Sequence, residues 1–83
     1  LDLNINLNAT DTTGIVKYCL KSKNIVPALN DSCWISTEKT NILNKTIKYK
    51  YKSENEGKIT VYGFLVNEYG NVASASANIQ YHY

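Results

Sequence analysis

Apolar and polar residues alternate with period two along most of this chain, and no segment repeats with the period of a helix. The alternation is clearest in the last third. Over residues 58–66, Ile59, Val61, Gly63 and Leu65 share one face. Over 72–83, Ala73, Ala75, Ala77, Ile79 and Tyr81 share a face, with Ser74, Ser76, Asn78 and Gln80 opposite. Between the two runs, Asn67, Gly70 and Asn71 tolerate positive φ, so the segment is written as an antiparallel hairpin. Residues 1–8 alternate Leu1, Leu3, Ile5 and Leu7 with Asp2, Asn4, Asn6 and Asn8, the mark of a half-buried strand. Residues 9–14 (ATDTTG) read as a turn. Residues 15–21 read as a second strand with Val16, Tyr18 and Leu20 on one face and Ile15, Lys17, Cys19 and Lys21 on the other.

Residues 22–32 are the longest irregular stretch and hold the only proline, Pro27. A short third strand at 33–37 places Trp34 inward and Cys33 outward. Residues 38–43 hold a brief strand or none, and 53–57 (SENEG) form a polar turn. Between them, 45–52 alternates Ile47, Tyr49 and Tyr51 with Lys48, Lys50 and Lys52. The pattern predicts an all-β domain, a sandwich of about seven antiparallel strands. Tyr18, Trp34, Val61, Leu65 and Ile79 are its expected core residues, and Gly63 is expected to make room for the Trp34 ring.

Two cysteines are the only sulfur in the chain. Cys19 and Cys33 each take an outward phase on their own strand, so a bridge between them would tie the feet of the 22–32 loop on the sheet surface rather than cross the core. An even pair in a small β domain reads as one disulfide, Cys19–Cys33, formed in an oxidising compartment. Closing a loop of about 15 residues would contribute roughly 3 kcal/mol in the chain-entropy model. The alternative is a pair of buried free thiols in a reducing compartment. A structural zinc site needs four ligands, and the chain has a single His, His82.

With 83 residues, the chain is one domain, 1–83, near the lower limit for a core that stabilises itself unaided. A first residue of Leu and the absence of Met suggest a piece of a larger multidomain protein. No apolar run reaches the length of a membrane span, so no membrane insertion is expected. The net charge of +2 comes from nine cations that are all Lys. The absence of Arg argues against a reader of nucleic acid, whose bidentate contacts favour the guanidinium.

The line Asp11-x-x-Gly14-Ile15, then Tyr18, Trp34, and Ile59-x-Val61 followed by Asn67-Glu68-Tyr69-Gly70-Asn71-Val72, resembles the bacterial immunoglobulin-like, fibronectin-III-like repeats of surface and secreted proteins. Such repeats include a variant with a cysteine on the second strand paired to one just before a Trp. The resemblance spans nearly the whole chain, but its motifs are turn and core residues, which specify a fold and no ligand. Asn67 stands where the family usually has Asp, and Gly63 where it usually has a β-branched residue. The resemblance implies an immunoglobulin-like sandwich on the outside of a cell.

Candidate chemistry is sparse. No catalysis and no cofactor are expected, because His82 is penultimate and the carboxylates of Glu54 and Glu56 lie in a polar turn. Asp11, Asp31 and Glu68 could contribute oxygens to calcium, yet they form no dense acidic run, and no metal site is assigned. Lys48, Lys50 and Lys52, extended by Lys45, make a positive stripe. It suits anionic glycan, teichoic acid or acidic lipid, or simply guards a strand edge. Tyr62, Phe64 and Tyr69 are candidates for stacking on sugar, with Pro27 and the 22–32 loop beside them; packing of Tyr62 and Phe64 on a neighbouring repeat or beneath that loop is the alternative. Sequons occur at Asn8, Asn30 and Asn44, and Lys17 with Asn78 are the residue types of an isopeptide staple.

The expected role is a non-catalytic spacer or stalk repeat in a bacterial cell-surface, adhesin-type protein, contacting neighbouring repeats of the same chain. One alternative is a module binding a glycan or host surface protein. A second is a decoration domain on a phage or virion.

Overall fold

A computed structural model of the chain describes residues 2–50 and 60–80, and every regular element in them is a strand. β1 (Asp2–Lys21), β2 (Ile35–Lys50), β3 (Tyr62–Asn67) and β4 (Val72–Gln80) form one antiparallel sheet, ordered β2-β1-β3-β4 with a further β1–β4 pairing. The sandwich of about seven strands is thus replaced, among the described residues, by four strands in one sheet. The reason lies in the long strands. β1 runs unbroken through residues 9–14, and β2 absorbs most of the pieces that read as separate strands at 33–37, 38–43 and 45–52.

β1 cannot be straight. It is antiparallel to β4 over residues 4–8 and antiparallel to β3 over 15–21, while β3 and β4 are antiparallel to each other. A single straight strand cannot meet all three conditions, so β1 bends between the two segments. β2 follows it on the other edge, and its register slips at the bend: residues 11–14 of β1 intervene where β2 has only Asn41. The ATDTTG segment therefore makes a corner rather than a chain reversal.

That corner is bonded throughout. Asp11 Oδ1 accepts the Thr13 N–H at 2.8 Å and the Thr13 hydroxyl. Asn41 Nδ2 donates to the carbonyls of Asp11 (3.0 Å) and Thr12 (2.9 Å), which the slipped register leaves outside the ladder. Gly14 takes φ +105, a backbone region open to glycine, and its carbonyl accepts the Glu68 N–H at 2.9 Å.

The bend brings the two halves of β1 together across the core. Leu7 from the first half packs in one cluster with Ile15, Tyr18, Leu43 and Leu65, and a second cluster joins Leu3, Ile5 and Val61. Of the expected core residues, Tyr18, Val61 and Leu65 are buried, Ile79 is half-buried against the second cluster, and Trp34 lies outside both. Gly63 makes room for Leu7 rather than for the Trp34 ring. A Cβ there would sit 2.5 Å from Leu7 Cδ1.

β3 is buried on both faces, from Gly63 to Asn67 without a break. Period-two reading assigned only Gly63 and Leu65 inward. Leu65 pairs with Tyr18 over the core, whereas Phe64 pairs with Cys19 on the other face. Lys52, the Glu54–Glu56 turn, Tyr51, Ile59, Tyr81 and His82 lie outside the described residues.

The disulfide-framed loop as candidate functional site

The 22–34 loop leaves β1 at Lys21 and returns to β2 at Ile35. Its feet are joined by the Cys19–Cys33 disulfide, with Cα atoms 5.4 Å apart and 14 residues of separation. The phase read from the sequence holds in that Cys19 lies on the face opposite Tyr18. However, that face is covered rather than open. Cys19 is wholly buried, Phe64 beside it is 1% exposed, and Pro27 is buried within the loop.

Inside the loop, Asp31 is the organising residue. Its Oδ1 accepts the Cys33 N–H at 2.8 Å, its Oδ2 pairs with Lys21 Nζ at 2.9 Å, and its own N–H reaches the Ala28 carbonyl at 3.0 Å. The hydrogen bond from Lys21, then that from the Cys33 amide, hold its carboxyl below the ordinary aspartate value. Trp34 was expected in the core. Instead it is half-buried, and its Nε1–H donates to the same Ala28 carbonyl at 2.8 Å, folding the indole onto the loop. A polar ring atom that finds its partner in a loop carbonyl has no need of a core position.

The loop so fixed turns aliphatic side chains outward. Ile25 is 66% exposed, Val26 63% and Leu29 59%, and Ile35 continues the surface at the start of β2. Sequence reading did not single these out. Their signal was present, as a run of Ile25-Val26-Pro27-Ala28-Leu29 between the two cysteines with no period-two alternation.

The aromatic candidates do not assemble into a platform. Phe64 is closed off, Tyr62 is half-buried, and Tyr69 stands alone, 74% exposed, in the 67–71 hairpin turn. Tyr62 pairs with Lys21 and Phe64 with Cys19, so both rings leave the sheet on the face from which the loop springs. Asn67 shapes the turn below Tyr69: its Oδ1 accepts the amides of Tyr69 (3.0 Å) and Asn71 (2.9 Å).

Each carboxylate weighed for calcium has another partner. Asp11 is held by Thr13, Asp31 by Lys21, and Glu68 by Lys39 at 2.7 Å. Hydrogen bonding from the Thr13 side chain, then its amide, lowers the Asp11 pKa, and Glu68 raises that of Lys39. Among the described residues no group of three His, Cys, Asp or Glu side chains could hold a metal ion.

Lys48 and Lys50 are exposed opposite Asn4 and Asp2. Lys45 does not extend their stripe: it alternates onto the Ile47 face, and its Nζ lies 5.6 Å from the Tyr18 ring centroid. The polar face is instead built from registered rows, Asn44–Asn8–Ser76 and Thr46–Asn6–Asn78. Two of the sequons thus sit on directly paired residues, Asn8 and Asn44, while Asn30 is exposed on the loop. Lys17 and Asn78 belong to different parts of the sheet, facing Val66 and Asn6 in their respective ladders.

No protein-family model matches the chain, and no curated protein or solved structure matches it significantly.

Proposed function

We propose that this chain is a non-catalytic extracellular all-β module, of the kind carried by bacterial surface proteins, that projects from its host and presents its loop surface. The observation that carries this reading is the pairing of Asn4 with Gln80. The start of β1 and the end of β4 are ladder neighbours, with backbones about 5 Å apart. In a longer polypeptide, chain entering β1 and chain leaving β4 would meet the module at one place. An in-line stalk repeat works best with its junctions at opposite ends of a long axis, here 39 Å. Side-by-side junctions suit a lateral or terminal projection, which favours the binding-module alternative over the spacer. The disulfide fits an oxidising compartment.

Insertion of residues 1–83 into a tight surface turn of a stable carrier protein tests the junction. Adjacent ends predict that carrier and module each keep their own melting transition. Unfolding of the carrier, rescued only by long linkers, would return the reading to the in-line spacer.

A further inference from the structure

We propose that the 22–35 surface is a shallow membrane-contact device that seats Ile25, Val26 and Leu29 among the acyl chains of an anionic lipid surface. The most exposed aliphatics of the loop are the adjacent pair Ile25 and Val26, both about two-thirds exposed (66% and 63%), followed by Leu29 at 59%. Adjacent exposed aliphatics on a folded loop cost solubility and are usually kept for a contact. The loop is held in that shape by the disulfide, the Lys21–Asp31 pair, and the Trp34 and Asp31 bonds to Ala28, so the side chains cannot escape by turning inward.

Chemistry selects the partner. Sugar recognition wants an exposed ring and free polar groups. Here Phe64 is buried, and the Asp31 carboxylate and Trp34 N–H are already spent within the loop. Protein hot spots are rich in Trp, Tyr and Arg and poor in Leu and Val, whereas this patch is Ile, Val and Leu. Those three residue types are among the most favourable in a bilayer interior. The rim is cationic: Lys23 is exposed and lines the same surface depression as Ile25 and Lys21, and the neighbouring carboxylate, Asp31, is paired with Lys21. An aliphatic patch with a lysine rim complements acyl chains beneath anionic headgroups. Trp34, the single Trp of the chain, bonds to the same loop as a built-in reporter.

This inference names a partner for the module proposed above and rests on that reading, yet the two fail separately. The carrier insertion tests the junction, and vesicles test the loop. The oxidised 83-residue chain is mixed with sucrose-loaded vesicles of phosphatidylcholine alone or with about one-third phosphatidylglycerol, followed by cosedimentation and Trp34 emission. Binding is expected only with the anionic vesicles, accompanied by a blue shift. Lys23→Glu should weaken it at least about five-fold, the worth of one lysine near such a surface. Val26→Asp should abolish it, while Ile42→Asp, a change at the other exposed aliphatic of β2, should leave it intact. Each variant must keep the wild-type melting transition and bridge. For Val26→Asp, loss of fold is bypassed by Val26→Ser, expected to weaken binding without unfolding. Binding unchanged by the Val26 variants, or no binding to either vesicle, overturns the proposal and leaves the patch to a protein partner.

Discussion

Cys19 and Phe64 are direct partners in the β1–β3 ladder and leave the sheet on the same face, so one bridge anchors the loop beside the ring that the loop helps to bury. Reduction should therefore do more than remove a cross-link. The chain-entropy loss is roughly 3 kcal/mol, or a fall in melting temperature of roughly 12–24 °C for a domain of this size. Phe64 should also become accessible. Thermal melts and dye binding with and without reductant check this. Equal melting temperatures would mean that the loop holds its place without the bridge.

Truncating the aromatic candidates separates core from surface. Phe64→Ala should cost about 3–5 kcal/mol, as for a buried ring. Tyr69→Ala, at 74% exposure, should stay within about 0.5 kcal/mol. Urea unfolding of both variants measures the difference, and a small loss at Phe64 would mean that the loop does not seal that face.

Gly63 and Leu7 share one volume. Gly63→Ala puts a methyl 2.5 Å from Leu7 Cδ1, beside the Ala75 carbonyl at 3.2 Å. Overpacking should cost about 1–3 kcal/mol. Combining it with Leu7→Ala should be less damaging than the sum of the two single changes, a coupling that a double-mutant cycle reads directly.

These residues show what the sequence made legible. Period two in residues 1–8 and 72–80 was enough to place Leu3, Ile5, Leu7, Ala75 and Ala77 toward the core, and Asn67–Asn71 was enough to place the hairpin turn. What failed was the count of strands and the assumption that each strand has one wet face. Thr and Asp in ATDTTG read as a chain reversal because their side chains bond local backbone. The same bonds, with Asn41 supplied from 30 residues away, hold an unbroken strand at a corner. Phe64 falls in the polar phase of its strand and is buried on the face that carries the bridged Cys19. Neither fact is local in sequence. The exposed aliphatics were hidden for the converse reason, since an apolar run ordinarily signals burial.

Acid should loosen the loop. The Asp31 pKa is lowered in the folded chain, by Lys21 first and then by the Cys33 amide. A depressed carboxyl contributes stability above its unfolded value, near 3.8, and loses that contribution as pH falls through the lower folded value. Melting temperature should hold from neutral pH to about 4 and fall below it. Asp31→Asn should flatten part of that fall, together with a lower plateau at neutral pH. An Asp31→Asn profile parallel to the wild type at all pH values would place the acid sensitivity elsewhere, with Asp11 the next candidate.

Asn67 should not tolerate the Asp that the resembling repeats carry. It is 7% exposed, its Oδ1 already accepts two turn amides, and its side-chain amide also lowers the pKa of Asp11. Asn67→Asp keeps the acceptor but replaces the donor with a second carboxyl facing Asp11. At neutral pH two carboxylates then lie close together at the corner, so the pKa of at least one must rise. A carboxyl whose folded pKa lies above its unfolded value destabilises most at high pH and least once protonated, the reverse of the Asp31 case. The variant should therefore be less stable at pH 7 and should regain part of that loss as pH falls through the carboxylate range. Asp11→Asn in the same chain should restore stability at pH 7. A pH-independent penalty that Asp11→Asn leaves untouched would show that turn geometry, and not the Asp11 contact, selects Asn at this position.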